Sequence, residues 1–391
     1  MKKVFGLFLS LIVLMGLWSC EAELPDEPQK PNPEPIPEET GCLTFVSSGE
    51  SLVALAKVGA PFDISLEYSL DGKSWNPYTI RKAIYLSDGG ELSFRAGETG
   101  NERFSKGSLD NYRFIISGSV AAKGNVMSLL DRSCRRNAVP ANAFFYLFCD
   151  CTVLTEAPKL PATELAEGCY TQMFEGCTKL TEAPALPATE LAEECYYGMF
   201  DGCTSLIEAP ELPATKLAKF CYASMFKGCT SLTEGPSILP AKNLAKFCYG
   251  SMFYDCTGLT KAPDLPATNL AEQCYFYMFY CCTSLTEAPD LPAMELAEDC
   301  YQCMFIGCTS LTKAPDLPAT ELAENCYSSM FYDCTSLNYV KALFTDEPSE
   351  KTTREWLYRV APTGTFVKSK DAAWDVRGDD GIPEGWTVVT E

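Results

Sequence analysis

No histidine occurs anywhere in the 391 residues. That absence removes Ser-His and Cys-His nucleophile systems, His-ligated metal sites and imidazole-based pH switching. Cations are scarce as well: 31 Lys and Arg stand against 52 Asp and Glu, for a formal charge of −21. So acidic a surface repels phosphate backbones, which excludes nucleic acid as an expected partner. Long apolar runs are also missing. The longest, Val4 to Leu17, is roughly 14 residues, short of the roughly 20 a helix needs to cross a bilayer.

What surrounds that run gives it a purpose. Lys2 and Lys3 precede it and Leu17-Trp18-Ser19-Cys20 follows it, the layout of a secretion signal over residues 1–19. The Leu-x-Ser-Cys end resembles the bacterial lipobox, which implies that Cys20 becomes the first mature residue and carries lipid. Losing Lys2 and Lys3 with the signal takes the charge to −23. Residues 20–41 then read as a tether: six prolines and seven carboxylates between 21 and 40 leave almost nothing to bury. Such composition favours polyproline-like extension at about 3 Å per residue.

Residues 42–130 alternate apolar and polar side chains in short runs divided by Gly, Pro, Asn and Asp. Seven runs (43–46, 51–58, 63–70, 74–80, 83–87, 91–96 and 112–120) predict a small antiparallel β-sandwich, with Asp71-Gly72 as a hairpin turn.

Beyond residue 134 the chain repeats itself. Cys151, Cys177, Cys203, Cys229, Cys256, Cys282, Cys308 and Cys334 are 26 residues apart with a single spacing of 27, its extra residue lying in the Glu-Gly-Pro-Ser-Ile-Leu-Pro stretch 234–240. Each unit reads approximately Leu-Thr-Glu-Ala-Pro-x-Leu-Pro-Ala-Thr-x-Leu-Ala-x-x-Cys-Tyr-x-x-Met-Phe-x-Gly-Cys-Thr. A fixed period in the twenties predicts a solenoid over 134–340, since one unit cannot bury its own apolar face. Leu165, Cys169, Met173 and Cys177 fall four apart, as do Ala166, Tyr170 and Phe174, and the spacing predicts an amphipathic helical turn capped by Thr163. The two-proline segment before it predicts a short parallel strand. The fold class expected is therefore an α/β repeat solenoid of leucine-rich-repeat type, with residues 341–391 as its C-terminal cap.

The blocks Met173–Leu180, Met199–Leu206 and Met225–Leu232, the Leu-Pro-Ala-Thr linkers, and the closing Thr363-Gly-Thr-Phe-Val-Lys and Gly381-Ile-Pro-Glu-Gly-Trp-Thr-Val resemble the BspA-like leucine-rich-repeat surface proteins of Bacteroides-type bacteria. The resemblance implies surface exposure and adhesion to host or bacterial surface macromolecules. It brings no catalytic residues and no cofactor. The usual L-x-x-L-x-L strand pattern is replaced here by Ala157, Pro158 and their equivalents, so horseshoe curvature does not carry over.

Twenty-one cysteines in an exported chain would ordinarily suggest a disulfide framework. Helical geometry argues against one, because it places Cys169 and Cys177 about 12 Å apart and equivalent cysteines of neighbouring units roughly 8 to 10 Å apart. Reduced core thiols are expected. Cys42, Cys134, Cys149, Cys281 and Cys303, which break the pattern, are the candidate exceptions, and no spacing suits a metal.

One column carries the candidate binding site. The position before Cys-Tyr holds Gly168, Glu194, Gln273, Asp299 and Asn325, a solvent-facing set, but Phe220 and Phe247 in the two middle units. Lys216, Lys219, Lys227, Lys242 and Lys246 surround them. This patch is expected to engage an acidic or sugar-bearing partner, rings supplying contact and lysines steering. Three classes follow: a protein-binding adhesin, a glycan-binding accessory lipoprotein, and, with least support, a glycoside hydrolase, whose unique carboxylate pair the duplicated acids do not provide. The anchor is testable directly. Cys20→Ser should move the protein from the membrane fraction to the soluble one; retention after a high-salt wash would contradict lipidation at this residue.

Overall fold

Sheet formation begins immediately after the tether. The computed structural model describes residues 41–60 and 62–391, so the signal, Cys20 and nearly all of the tether lie outside the described residues. Strands β1 (Leu43–Ser47), β2 (Ser51–Val58), β3 (Leu66–Ser69), β4 (Asn76–Pro77), β5 (Ile84–Leu86), β6 (Glu91–Ala96), β7 (Asn111–Ser117) and β8 (Val120–Lys123) fall on the seven runs read from the sequence, the last run being split in two. They form two antiparallel layers, β5-β2-β7 and β4-β3-β6-β1-β8. Leu43, Phe45, Val53, Leu55, Phe94 and Phe114 fill the space between. At the hairpin, Gly72 takes φ +69°. The Asp71 carboxylate accepts the backbone N–H groups of Lys73 at 2.8 Å and Ser74 at 2.7 Å.

The solenoid grows directly from this sheet. After β9 (Ala138–Val139) comes β10 (Leu154–Glu156), which pairs in parallel with β8, Leu154 opposite Val120. β11 (Glu164–Leu165) pairs in parallel with β9. One hydrophobic core runs from Leu43 through every coil to Trp386. The edge of the N-terminal sheet is thus covered by the first coil instead of being left open.

The helical turns do not exist. Among the described residues the only helical element is a single 3-10 turn, Val126–Leu129, and the repeats form a β-solenoid of about ten turns. Residues 166–177 make a row of successive β-turns. Within the coil, Cys169, Thr171, Met173, Glu175 and Cys177 donate their N–H groups to the carbonyls three residues back, at 3.1–3.3 Å. The residues between them, Gly168, Tyr170, Gln172, Phe174 and Gly176, donate instead to Glu193, Cys195, Tyr197, Met199 and Asp201 of the next coil, at 2.8–3.0 Å. Every second amide closes a turn and every other one joins coils, so no donor in the row is orphaned. An α-helix would spend all of these donors on itself and leave the coils unjoined.

The turns require a left-handed residue at every fourth position. Gly168, Gln172 and Gly176 have φ of +60°, +51° and +72°, and the next coil repeats the pattern at Glu194, Gly198 and Gly202. This corrects the helical reading and the capping role given to Thr163. A strict period of four suits turns; a helix of 3.6 residues per turn would drift off its face over the same stretch.

Stacking in register builds ladders. Phe114, Phe148, Phe174, Phe200, Phe226, Phe253, Phe279, Phe305 and Phe331 follow one another with ring centroids 5.2–5.7 Å apart. Phe104, Phe144 and the tyrosines from Tyr170 to Tyr327 form a second ladder at 5.7–6.3 Å. The N-terminal domain therefore supplies the first rung of both, Phe114 from β7 and Phe104 from the loop before it. At the far end, β12 (Tyr339–Ala342), β13 (Gly364–Lys368) and β14 (Trp386–Thr390) pair in parallel, and Trp356 and Phe344 close over Tyr327.

All twenty cysteines from Cys42 onward are free thiols. The separation expected from helix packing was too large, because coils stack at strand spacing, about 4.8 Å. What keeps the columns unbridged is orientation: in-register side chains run parallel, leaving their Cβ atoms farther apart than the roughly 3.8 Å a disulfide prefers. Each thiol of the second-cysteine column also has a partner. Cys177, Cys203 and Cys229 donate to the carbonyls of Phe148, Phe174 and Phe200 at 3.2 Å, and the later coils repeat this. Burial raises these thiols; in the other column it lifts Cys221 to about 12.

The tyrosine ladder contains a removable cost. The hydroxyls of Tyr222 and Tyr249 are buried with no protein partner. Tyr222→Phe should therefore raise stability, by about 1 kcal/mol, since a buried unpaired hydroxyl is destabilising and the ring ladder stays intact. A lower melting temperature for the variant would show that the hydroxyl has a stabilising role.

Candidate functional site

Four positions per coil lie on the outer side of the turn row: the residue before the Cys-Tyr pair, the two residues after it, and the residue after Met-Phe; small members are covered by their neighbours, and Gly168 and Asp299 are buried where the sequence predicts solvent. The coils at 168–175 and 299–306 carry no ring at these positions, and Phe145, Tyr146, Tyr197 and Tyr332 occur outside the central coils. In three successive coils the rings form one contiguous strip. Phe220 contacts Phe247 at 5.0 Å, Phe247 contacts Phe276 at 5.7 Å, and Phe276 contacts Tyr277 at 4.2 Å. Tyr277 meets Tyr254 at 6.2 Å and Tyr280 at 5.5 Å, and those two stack at 4.3 Å. All six are half-buried, one edge on the protein and one in solvent.

Phe220 and Phe247, singled out in the sequence, are thus brought together and belong to a larger strip. Phe276, Tyr277, Tyr254 and Tyr280 were not found by sequence reasoning. Their signal, the run Cys-Tyr-Phe-Tyr-Met-Phe-Tyr-Cys-Cys at 274–282, departs from the consensus at both variable positions. A helical reading gave no way to place those positions on the same face as Phe247.

Local backbone shapes this strip. Phe220 and Phe247 occupy left-handed turn positions, φ +56° and +55°. A bulky side chain there costs on the order of 1 kcal/mol relative to Gly or Asn. Room for the rings comes from the small residues three positions on, Ala223 and Gly250. A methyl group on Gly250 would lie 2.2 Å from the Phe247 ring, so that ring rests flat on the glycine.

The lysines are arranged differently from the sequence reading. Lys216 pairs with Glu190 at 2.6 Å, Lys219 with Glu193 at 3.1 Å, Lys227 with Asp201 at 3.2 Å and Lys246 with Glu272 at 2.5 Å. Each partner lies one coil away, so the lysines relieve acidic columns and do not form an uncompensated cationic rim. Lys219 also lies 4.9 Å from the centre of the Phe220 ring. Lys242 is exposed and has no carboxylate within 4.0 Å among the described residues. Exposed pairs of this kind contribute little stability, about 0–1 kcal/mol each, and are screened by salt.

The acids are placed by the same register. Glu182, Glu208, Glu234 and Lys261 sit on consecutive parallel bridges, and Lys261 reaches Glu234 at 4.0 Å. Nearer the rings, burial together with the Asp201 and Asp150 carboxylates raises the Glu175 carboxyl. Burial likewise raises Asp201 against the opposing pull of Lys227.

These features define a β-solenoid repeat protein with an aromatic strip on its turn face. No family model matches the chain, and no curated protein matches it. Among solved structures, a T. pallidum leucine-rich-repeat protein superimposes over 64% of this chain and 78% of its own, at 14% identity and a TM-score of 0.19. A superposition that loose carries no weight for fold or function.

Proposed function

We propose that this chain is an exported surface scaffold that binds other macromolecules and performs no catalysis. On this reading Cys20 anchors it by lipid to the outer membrane facing the cell exterior, the tether lifts the folded part away, and the solenoid presents its turn face to a host or bacterial surface protein. The reading places it with the BspA-like surface proteins, on the Met-Phe-x-Gly-Cys-Thr-x-Leu blocks quoted above.

The observation that carries the proposal is the run of six contiguous, half-exposed rings on three adjacent coils. Stacking the coils does not require them, since the coils at 168–175 and 299–306 carry none at these positions, and three of them, Phe220, Phe247 and Tyr277, sit on left-handed backbone. Contact area held at a backbone cost suits recognition. Repeated acids, by contrast, supply no unique pair for hydrolysis. A glycan is the second reading, because flat ring surfaces bordered by the exposed Asp255 and by Gln273 suit the apolar faces and hydroxyls of a sugar.

A host-protein panel beside a glycan array tests both readings. Phe220→Asn with Phe247→Asn is the informative variant, because Asn142 and Asn325 already occupy the same left-handed position in other coils. Binding should weaken at least tenfold, about 1.4 kcal/mol, with little change in melting temperature. Unchanged affinity would remove the strip from the binding surface, and a large fall in melting temperature would make the rings structural.

A further inference from the structure

Two cysteines stand outside both columns and outside the turn rows. Cys42 begins the first sheet, half-exposed, on a parallel bridge to Asn125. Cys134 is buried 92 residues later, in the turn that its own N–H closes on Asp131 at 2.9 Å, with a left-handed φ of +55°. One segment holds both: Leu43, next to Cys42, donates its N–H to Ser128 Oγ at 2.9 Å, and the turns closed by Asp131 on Met127 and by Cys134 on Asp131, each at 2.9 Å, return the Cys134 thiol toward Cys42. Nothing comparable occurs in the columns, where each thiol of the donor column points at a backbone carbonyl.

We infer that Cys42 and Cys134 are an oxidisable pair, closing to a disulfide that ties the start of β1 to the loop entering the first coil. The co-reactant is an external disulfide, whether of a thiol oxidoreductase or of a small molecule such as glutathione disulfide. Cys42 attacks first. As thiolate it bonds to one sulfur of the external disulfide and expels the other as a thiolate, which takes up a proton. Cys134 then loses its proton to solvent and attacks the Cys42 sulfur, and the remaining external sulfur leaves as a second thiol. Two protein thiols are oxidised to one disulfide, and one external disulfide is reduced to two thiols.

The surroundings suit these roles. The hydrogen bond from Cys134 and the nearby Arg95 guanidinium bring the Cys42 thiol down to about 7, against the opposing effect of burial. A thiol titrating near neutrality is a competent attacker. Arg95 is itself fixed, paired with Glu67 at 2.7 Å and lying 3.9 Å from the centre of the Trp75 ring. Cys134 is held protonated chiefly by its bond to Cys42, and then by burial, Cys42 charge and Asp131. Once Cys42 is in a mixed disulfide its charge is gone, and the largest of those restraints goes with it. The closed bond would carry load arriving at residue 42 into the coil entry covalently, beyond what the β1 hydrogen bonds carry.

Treating the reduced, folded chain with glutathione disulfide and mapping peptides by mass spectrometry tests the inference. A single internal bridge, Cys42 to Cys134, should form while the column thiols stay reduced, and the melting temperature should rise by several degrees and fall back on reduction. Cys134→Ser should stop at a glutathione adduct on Cys42, and Cys42→Ser should take up none at Cys134. A wild-type chain that retains the adduct on Cys42 unresolved, or that first bridges two column cysteines, would overturn it.

Discussion

Each coil of this molecule holds the next through every second amide of its turn row, and that alternation fixes the register so that like residues stack on like. The rest of the architecture follows from the demand that each buried residue tolerate itself as a neighbour. Phe and Tyr satisfy it by parallel ring stacking, worth about 1 kcal/mol per pair beyond burial. Cysteine satisfies it as a small apolar group whose thiol reaches the carbonyl of the coil before. A charge could not, and columns of acids occur only outside, where lysines interrupt them.

The same constraint explains what the sequence made legible. A period of 26 with one insertion at 234–240 revealed the solenoid, since register tolerates no drift along the chain. The sandwich strands were legible too, because alternation in runs such as Leu43–Ser47 and Glu91–Ala96 survives as alternate burial. The turn rows were misread because rows at i, i+4 and i+8 look like a helical face. Two features spoke for turns: the rows keep a strict period of four, and Gly, Asn, Asp or Ser recur at the left-handed positions, as at Asn142, Asp255, Gly307 and Ser329. Phe220 and Phe247 were found because they broke a column. Phe276, Tyr277, Tyr254 and Tyr280 were missed because only the turn geometry puts those positions on one face.

Ends need separate treatment in any stacked array, and here each is built by a different device. The N-terminal domain lends Phe104 and Phe114 as first rungs and pairs β8 with β10, so it continues the solenoid as much as it covers it. At the other end Trp356, Trp374 and Trp386 bury their rings, and their indole N–H groups reach the carbonyls of Gly381, Phe344 and Ala361. Between these ends the ladders are uniform, which leaves variation to the outward positions. Function is expected where that variation clusters, and it clusters on the three coils bearing the ring strip.

Far-ultraviolet circular dichroism of the folded chain tests the turn-row architecture most directly, because each of the repeats would contribute a helical segment under the alternative. The account predicts a spectrum without the double minimum of α-helix, dominated by β and turn contributions. A helical double minimum scaled to one short helix per repeat would contradict the alternating hydrogen-bond scheme on which the ladders, the thiol columns and the aromatic strip all depend.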